Sequence, residues 1–208
     1  MGALDGHRVI ELSSDATGFA GKLLADLGAD VIVVEPIGGS EQRRYGPFAD
    51  DVADPERSLH WWHYNTSKRS VVLDLDEPGD RARFKALVAD AGVLIEGEPP
   101  GRLQELGIDY DDLRAARSDL VHCSVTPFGR TNPRRDETVT DLTMLAGGGP
   151  VWSCGYDDHR TPPVRGGGNQ GYQTGGVWAV ISTLAAVLHR DRTGVGQHID
   201  VSNHAAVN

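Results

Sequence analysis

Between Arg8 and Glu35 the chain reads RVIELSSDATGFAGKLLADLGADVIVVE, and the spacing of its apolar residues changes twice. Val9, Ile10 and Leu12 form a short apolar run with β-branched residues, which predicts a strand. Ser13, Ser14, Asp15 and Thr17 then crowd a turn, and each can cap a helix by accepting a backbone N–H. Phe19, Leu23, Leu24 and Leu27 recur at helical spacing, so a helix with one apolar face is expected, stopped by Gly28. Val31 to Val34 is continuously apolar, the pattern of a parallel strand covered on both faces. A strand–helix–strand this tight makes a right-handed βαβ unit. Ligands of such sheets sit beyond the carboxyl ends of the strands, here near Ser13–Thr17 and Glu35–Gly39. The turn SSDATGFAG holds Gly18 and Gly21 but no G-x-G-x-x-G, so it is not a dinucleotide fingerprint.

The same alternation continues. Residues 36–57 are polar and rich in Gly, Pro and Asp, and read as a long loop. Leu59 to Tyr64, LHWWHY, is an aromatic cluster suited to a core or an interface. His60 and His63 have no third ligand type nearby and do not make a metal site. Ser70–Leu75 reads as a strand, followed by a helix that opens at Pro78 and turns Phe84, Leu87 and Val88 inward. Ala91–Glu96 is the next strand. After Pro99-Pro100-Gly101 come two short helices, one stopped by Gly107 and one over Tyr110–Ala116, then a strand over Leu120–Val125. Thr126–Arg135 is a loop. A glycine-dense region leads into Gly175–Leu188, GGVWAVISTLAAVL, apolar almost all round and therefore expected to be buried. A last turn enters the strand HIDVS, and a new apolar helix is expected from His204. Strands alternating with helices predict an α/β protein with a Rossmann-like parallel sheet and flanking helices.

Composition narrows the function classes. With 208 residues, 39% of them hydrophobic and 24% charged, the chain has the balance of a soluble globular protein. It contains no apolar run of about 18 residues, so no membrane span or membrane partner is expected. The start, MGALDGHRV, has no apolar signal region. Cys123 and Cys154 make no disulfide framework and read as two buried thiols, in keeping with a cytoplasmic location. A net charge of −10 argues against nucleic acid as a partner. It also makes an anionic ligand depend on a local basic patch. Arg130, Arg134 and Arg135 are the compact basic cluster, and as part of a loop they read as solvated.

The segments GKLLADLGADVIVVEP, NTSKRSVVLDL, PPGRLQELGIDYDDLR, LVHCSVTPFG and above all HRDRTGVGQHIDVS follow one another in an order that resembles the family III CoA-transferases. That family includes formyl-CoA transferase, the carnitine-dehydratase-related CoA-transferases and α-methylacyl-CoA racemase. The resemblance covers nearly the whole chain. It implies the N-terminal part of the family's large domain over residues 1–208, without the family's small domain and C-terminal return. It further implies acyl-CoA or CoA as substrate, no metal, and a homodimer or a heteromer with a second CoA-transferase-like chain.

By the same resemblance, CoA transfer runs through an aspartate that attacks the acyl-CoA thioester, covalent catalysis that divides one hard acyl transfer into easier steps. Counting back from RTGVGQ, the nucleophile's position falls at Gly171, and no Asp or Glu occurs between Asp158 and Asp191. Asp141, Asp157 and Asp158 are the carboxylates a different alignment would bring forward, with Asp141 the fallback. Asp141 also reads as a helix cap or loop anchor before LTMLAGGG. Thr140 stands where the racemase branch has a histidine, so proton abstraction beside a thioester lacks its base. The resemblance puts coenzyme contacts at Ser14, Ala16, Thr17, Lys68, Arg69, Leu73, Gly97 and Thr126. Asp76, Gly97 and Glu105 replace the basic or amide groups common in the family, which implies weak CoA binding and a degenerate active site. Two functions follow as alternatives: a CoA-transferase chain that has lost its aspartate, or a non-catalytic subunit paired with a catalytic one.

Overall fold

The structure is a computed structural model, and it describes residues 2–155, 158, 160–162 and 164–208. Alternate side chains of its strands leave toward opposite faces, and both faces are apolar, so helices cover the sheet twice. The strands are β1 (Arg8–Leu12), β2 (Asp30–Glu35), β3 (Arg69–Val72), β4 (Gly92–Glu96), β5 (Val121–Thr126) and β6 (Gln197–Ser202). Every pairing is parallel, in the order β3-β2-β1-β4-β5-β6. The helices are α1 (Gly18–Asp26), α2 (Leu59–Tyr64), α3 (Pro78–Ala91), α4 (Arg102–Glu105), α5 (Tyr110–Arg114), α6 (Asp141–Gly148), α7 (Gln170–Thr193) and α8 (Asn203–Ala206). Val9, Val31, Val93, Ile95, Val121 and Val125 face α1 and α7. Ile10, Leu12, Ile32, Val34 and Leu94 face Phe84 and Val88 of α3, with Leu103 and Leu113 of the two short helices. The Rossmann-like α/β reading is what the structure has.

Several details differ from the sequence reading. The buried face of α1 is Ala20, Gly21, Leu24 and Ala25, while Leu27 is exposed. Small residues face inward because α7 lies directly on this helix: a Cβ at Gly176 would come within 3.2 Å of the Ala20 nitrogen. β3 ends at Val72, since its last partner, Glu35, ends β2, and Leu73 only adds one bond from its N–H to the Glu35 carbonyl. α7 begins at Gln170 and is not buried all round. Gly175, Gly176, Ala179, Val180, Thr183 and Val187 pack inward, whereas Trp178, Ile181 and Leu188 are each about half exposed, at 50, 50 and 52%. Of the two thiols, Cys123 is buried and burial pushes it up to about 12, but Cys154 lies at the surface. The LHWWHY segment is α2, with Trp61 and Tyr64 buried and Trp62 exposed. No helix among the described residues is long and apolar enough to cross a membrane.

Two buried ion pairs tie the connections to the sheet. Glu11 on β1 meets Lys68 at 2.7 Å, both side chains being only 1% exposed. Burial pushes the Glu11 carboxyl up and the Lys68 amine down, each toward its neutral form, and their mutual attraction opposes that. Lys68 also donates to the Gly18 carbonyl at 2.9 Å and to Asn65 Oδ1 at 3.1 Å. At the end of β2, Glu35 is gripped by Arg43 through Nε at 2.6 Å and Nη2 at 2.9 Å, with the Ser40 N–H at 2.9 Å and the Ser70 hydroxyl completing its partners. Burial alone would raise Glu35, but these donors outweigh it and hold the carboxyl below the usual range.

A Cβ at Gly21 would lie 1.7 Å from Glu11 Oε2, so Gly21→Ala is expected to cost about 3 kcal/mol through overpacking and disruption of the pair. Gly79→Ala, where a Cβ meets nothing within 4 Å, should stay within about 1 kcal/mol of the parent. Urea midpoints check both, and equal midpoints for the two variants would contradict the account. For Glu35 the sign is set by its depressed pKa. Its contribution is present above the unfolded carboxylate value of about 4.3 and is lost as pH falls through the folded value. Arg43→Ala should therefore cost about 3 kcal/mol or more near neutrality, where it strands a buried carboxylate. That gap to the parent should narrow on acidification, and denaturation at a series of pH values measures it.

Candidate active site at the carboxyl ends of the strands

The strand order reverses between β1 and β4, so the connections after these strands diverge and leave a crevice. Ser14, Ala16, Thr17 and Gly97 meet there. The Thr17 hydroxyl donates to the Leu12 carbonyl at 2.8 Å and lies 3.0 Å from Ser14 Oγ, which fixes the turn after β1. A Cβ at Gly97 would fall 2.6 Å from Ser14 Oγ and 3.1 Å from Ala16 Cβ, so the turn is pressed against the end of β4. Thr126 closes β5 by accepting the Gly129 N–H at 3.0 Å. Beside the crevice a cleft of about 200 Å³ opens beyond β1, β2 and β3. Its walls are Leu12, Val34, Pro36, Leu73, Leu75 and Leu106, and Asp74, Asp76, Glu98 and Arg102 lie among its polar lining residues.

Two of the residues read as coenzyme contacts lie elsewhere. Lys68 is sealed against Glu11 under α1. Arg69 pairs with Asp30 at 2.6 Å at the opposite, amino-terminal end of the sheet. Arg130 is no free solvated cation: it pairs with Asp109 at 2.7 Å and lies 3.7 Å from the buried Glu96. Arg134 and Arg135 do sit exposed, each beside a surface carboxylate.

The first turn of α7 carries Gly171, whose N–H donates to Asp141 Oδ1 at 2.7 Å. The Tyr172 N–H reaches the same oxygen at 3.3 Å, and Arg165 Nη1 donates to Oδ2 at 3.0 Å. Asp141 is 5% exposed and opens α6, so one carboxylate ties the starts of two helices. Thr140 and Thr143 form the capping box of α6. Asp158 is held by Arg160 at the surface, and Asp157 lies outside the described residues.

One carboxylate joins this region that sequence spacing did not bring to it. Asp15, in the turn after β1, accepts from Gln42 Nε2 at 3.2 Å and from the Tyr45 hydroxyl at 3.3 Å. Burial, then Asp15 and Asp141, push the Tyr172 phenol up, and burial with Asp15 pushes Tyr45 up to about 12. His60 stacks edge-on to Tyr45 at 5.1 Å, and burial lowers its pKa. The only early signal for Asp15 was its place in a turn at a strand's carboxyl end.

An all-parallel sheet covered on both faces by helices, with a crevice where its strand order reverses, defines the Rossmann-like class of α/β protein. The chain belongs to CoA-transferase family III, whose profile matches residues 4–207. It is 37% identical over 195 residues to succinyl-CoA:(R)-benzylsuccinate CoA-transferase subunit BbsE of Thauera aromatica, covering 94% of this chain and 47% of that one. It is 39% identical over 203 residues to succinate–glutarate CoA-transferase of Agrobacterium fabrum, covering 96% and 50%. The crystal structure of a CAIB/BAIF family protein from Brucella suis superposes with a TM-score of 0.91 at 36% identity, over 99% of this chain and 54% of that one. The chain spans about half the length of the curated relatives it matches.

Because Asp141 holds two N–H groups of α7 and the Arg165 guanidinium, Asp141→Ala should destabilise the fold by about 1–3 kcal/mol. Urea denaturation measures it, and a variant as stable as the parent would show that the carboxylate does not hold the helix.

Proposed function

We propose that this chain is a non-catalytic subunit in CoA transfer between an acyl-CoA and a carboxylate, and that a companion family III chain supplies the nucleophilic aspartate. The observation that carries this reading is the first turn of α7. Glycine stands at the position the resemblance assigns to the nucleophile, and the carboxylate in contact with it, Asp141, is 5% exposed with both oxygens occupied. A carboxylate that attacks a thioester has to reach the carbonyl carbon, and Asp141 is buried and held in place by two N–H groups of α7 and the Arg165 guanidinium. The half-exposed apolar stripe of Trp178, Ile181 and Leu188 supports an assembly, since such stripes mark protein contacts. The relative from Thauera aromatica is itself named as a subunit.

A second reading keeps the chemistry on this chain, with Asp15 as the attacking carboxylate. Its partial exposure and its place beside Tyr172 favour it. One experiment separates the two. The chain is incubated with a pool of acyl-CoA esters, alone and with any companion chain, trapped with hydroxylamine or borohydride, and mapped by mass spectrometry. The non-catalytic reading expects no adduct here, one on the companion, and a native mass above that of a monomer. An adduct on Asp15, Asp141, Asp157 or Asp158 would overturn it. Gly171→Asp alone should leave turnover near background, because loss of a nucleophile typically costs about three or more orders of magnitude and the carboxylate would meet Asp141 2.9 Å from its own Cβ.

A further inference from the structure

We propose that the neutral ring of His198 latches the edge strand β6 to the sheet, and that protonation of this ring in mild acid releases the strand and loosens what it supports. Among the described residues β6 pairs with β5 alone, from Val121 opposite Gln197 to Thr126 opposite Ser202. Its two faces are held differently. On one, Ile199 and Val201 pack into the apolar cluster under α1 and α7. On the other, His198 joins a stack of rings. It lies 4.7 Å from the His122 ring of β5 and 5.0 Å from the Tyr110 ring of α5, with 23° between the His198 and Tyr110 planes. Ser124 Oγ stands 2.9 Å from His198 Nε2 and closes the arrangement. β6 then runs into α8, where the His204 N–H donates to the Pro127 carbonyl at 2.9 Å and Asn203 fills the space left by Gly175 of α7. Releasing β6 therefore loosens α7, whose first turn holds Asp141.

The groups around the ring suit an uncharged imidazole. Arg130 Nη1 donates to Ser124 Oγ at 3.5 Å, which leaves the hydroxyl hydrogen for His198 Nε2 and makes that nitrogen the unprotonated acceptor. His122 is fully buried, neither of its nitrogens has a hydrogen-bond partner, and it brings no countercharge. Arg114 of α5 lies over the Tyr110 ring at 5.5 Å, a further cation near the stack. The facing carboxylates are held by other donors. Glu96 accepts the Glu98 N–H at 2.7 Å and has His122 Nε2 at 3.5 Å and Arg130 Nη1 at 3.7 Å. Asp109 pairs with Arg130 Nη2 at 2.7 Å and accepts the Tyr110 N–H at 2.8 Å. Asp200, on the same face of β6, accepts the Arg130 N–H at 2.9 Å. Burial, then His122 and Arg130, push His198 down to about 4 against the pull of Asp109 and Glu96, and water at the exposed strand edge moderates that shift. The unfolded value is about 6.5, so the latch is whole above that pH and is lost as pH falls toward the folded value.

Residue-resolved amide exchange of the 208-residue chain, corrected for the intrinsic pH dependence of exchange, tests this. Between about pH 7.5 and about pH 5 the opening equilibrium of the β6 amides should rise about fivefold or more. His198→Phe keeps a ring in the stack and cannot be protonated, so the same amides should change by less than about twofold over that range, whatever their absolute rate. An equal acid response in parent and variant, or no response in the parent, overturns the proposal. Ring-carbon NMR of the parent needs no variant and guards against one that fails to fold. His198 should stay neutral at about pH 5.5, and a ring already protonated there in the folded chain overturns the proposal as well.

Discussion

The Glu11–Lys68 pair is the constraint on which the rest of the fold turns. Two unlike charges at 2.7 Å, each 1% exposed, have given up their hydration, and their attraction repays that cost only if the surrounding chain holds the geometry closely. Glu11 belongs to β1, at the centre of the sheet. Lys68 belongs to the connection that enters β3, at its edge. The space between them is Gly21 of α1, and the Gly18 carbonyl of the same helix takes a second proton of the amine. One contact therefore sets the height of α1 over the sheet and the path of residues 65–69. A hydrophobic pair of similar volume could hold the same elements together. It would not fix their register, because apolar packing is not directional and an ion pair at hydrogen-bond distance is.

That fixed helix in turn decides where α7 begins. Gly176 packs against Phe19 and Ala20, and Gly175 leaves room for the buried Asn203 of α8, whose Oδ1 would lie 1.6 Å from a Cβ there. With α7 held so close, its first N–H groups point at Asp141. The helix N-terminus carries partial positive charge, so a carboxylate drawn there is stabilised where it sits. Asp141 is positioned as a structural anion, and the same geometry that fixes it holds both its oxygens in hydrogen bonds away from solvent.

Much of the fold was legible because it rests on local pattern. The run from Arg8 to Glu35 announced β1, α1 and β2, and Pro78 and Gly28 marked helix ends where the structure has them. What pattern missed came from distance along the chain. Phe19, Leu23 and Leu27 looked like the inner face of α1, because large apolar residues usually face a core. Close approach of α7 selected Ala20, and the Glu11–Lys68 pair left room only for Gly21. The two ends of the Asp141–Gly171 contact are 30 residues apart, and no spacing rule connects them. Lys68 and Arg69 are neighbours in sequence yet serve a buried carboxylate and the far end of the sheet, since successive residues of an extended chain point opposite ways.

The proposed subunit role draws on two properties of one helix. α7 carries Gly171, at the position the family resemblance assigns to the nucleophile, in its first turn and continues with Trp178, Ile181 and Leu188 turned outward. Taken singly, each has an ordinary explanation. A glycine at a helix start relieves crowding against Asp141, and a few exposed apolar side chains are normal on any surface. Together they are harder to explain in a self-sufficient enzyme. Three large apolar side chains at positions i, i+3 and i+10 fall on one stripe, and a stripe half exposed along a 24-residue helix costs solubility unless something covers it. A companion chain resting on that stripe would sit beside the site at the helix start. It could then bring its own aspartate to the thioester, and the coenzyme cleft would remain on this chain. On the proposed subunit reading, Gly171 and the exposure of Trp178 belong to one arrangement, in which chemistry and binding are divided between two copies of the same fold.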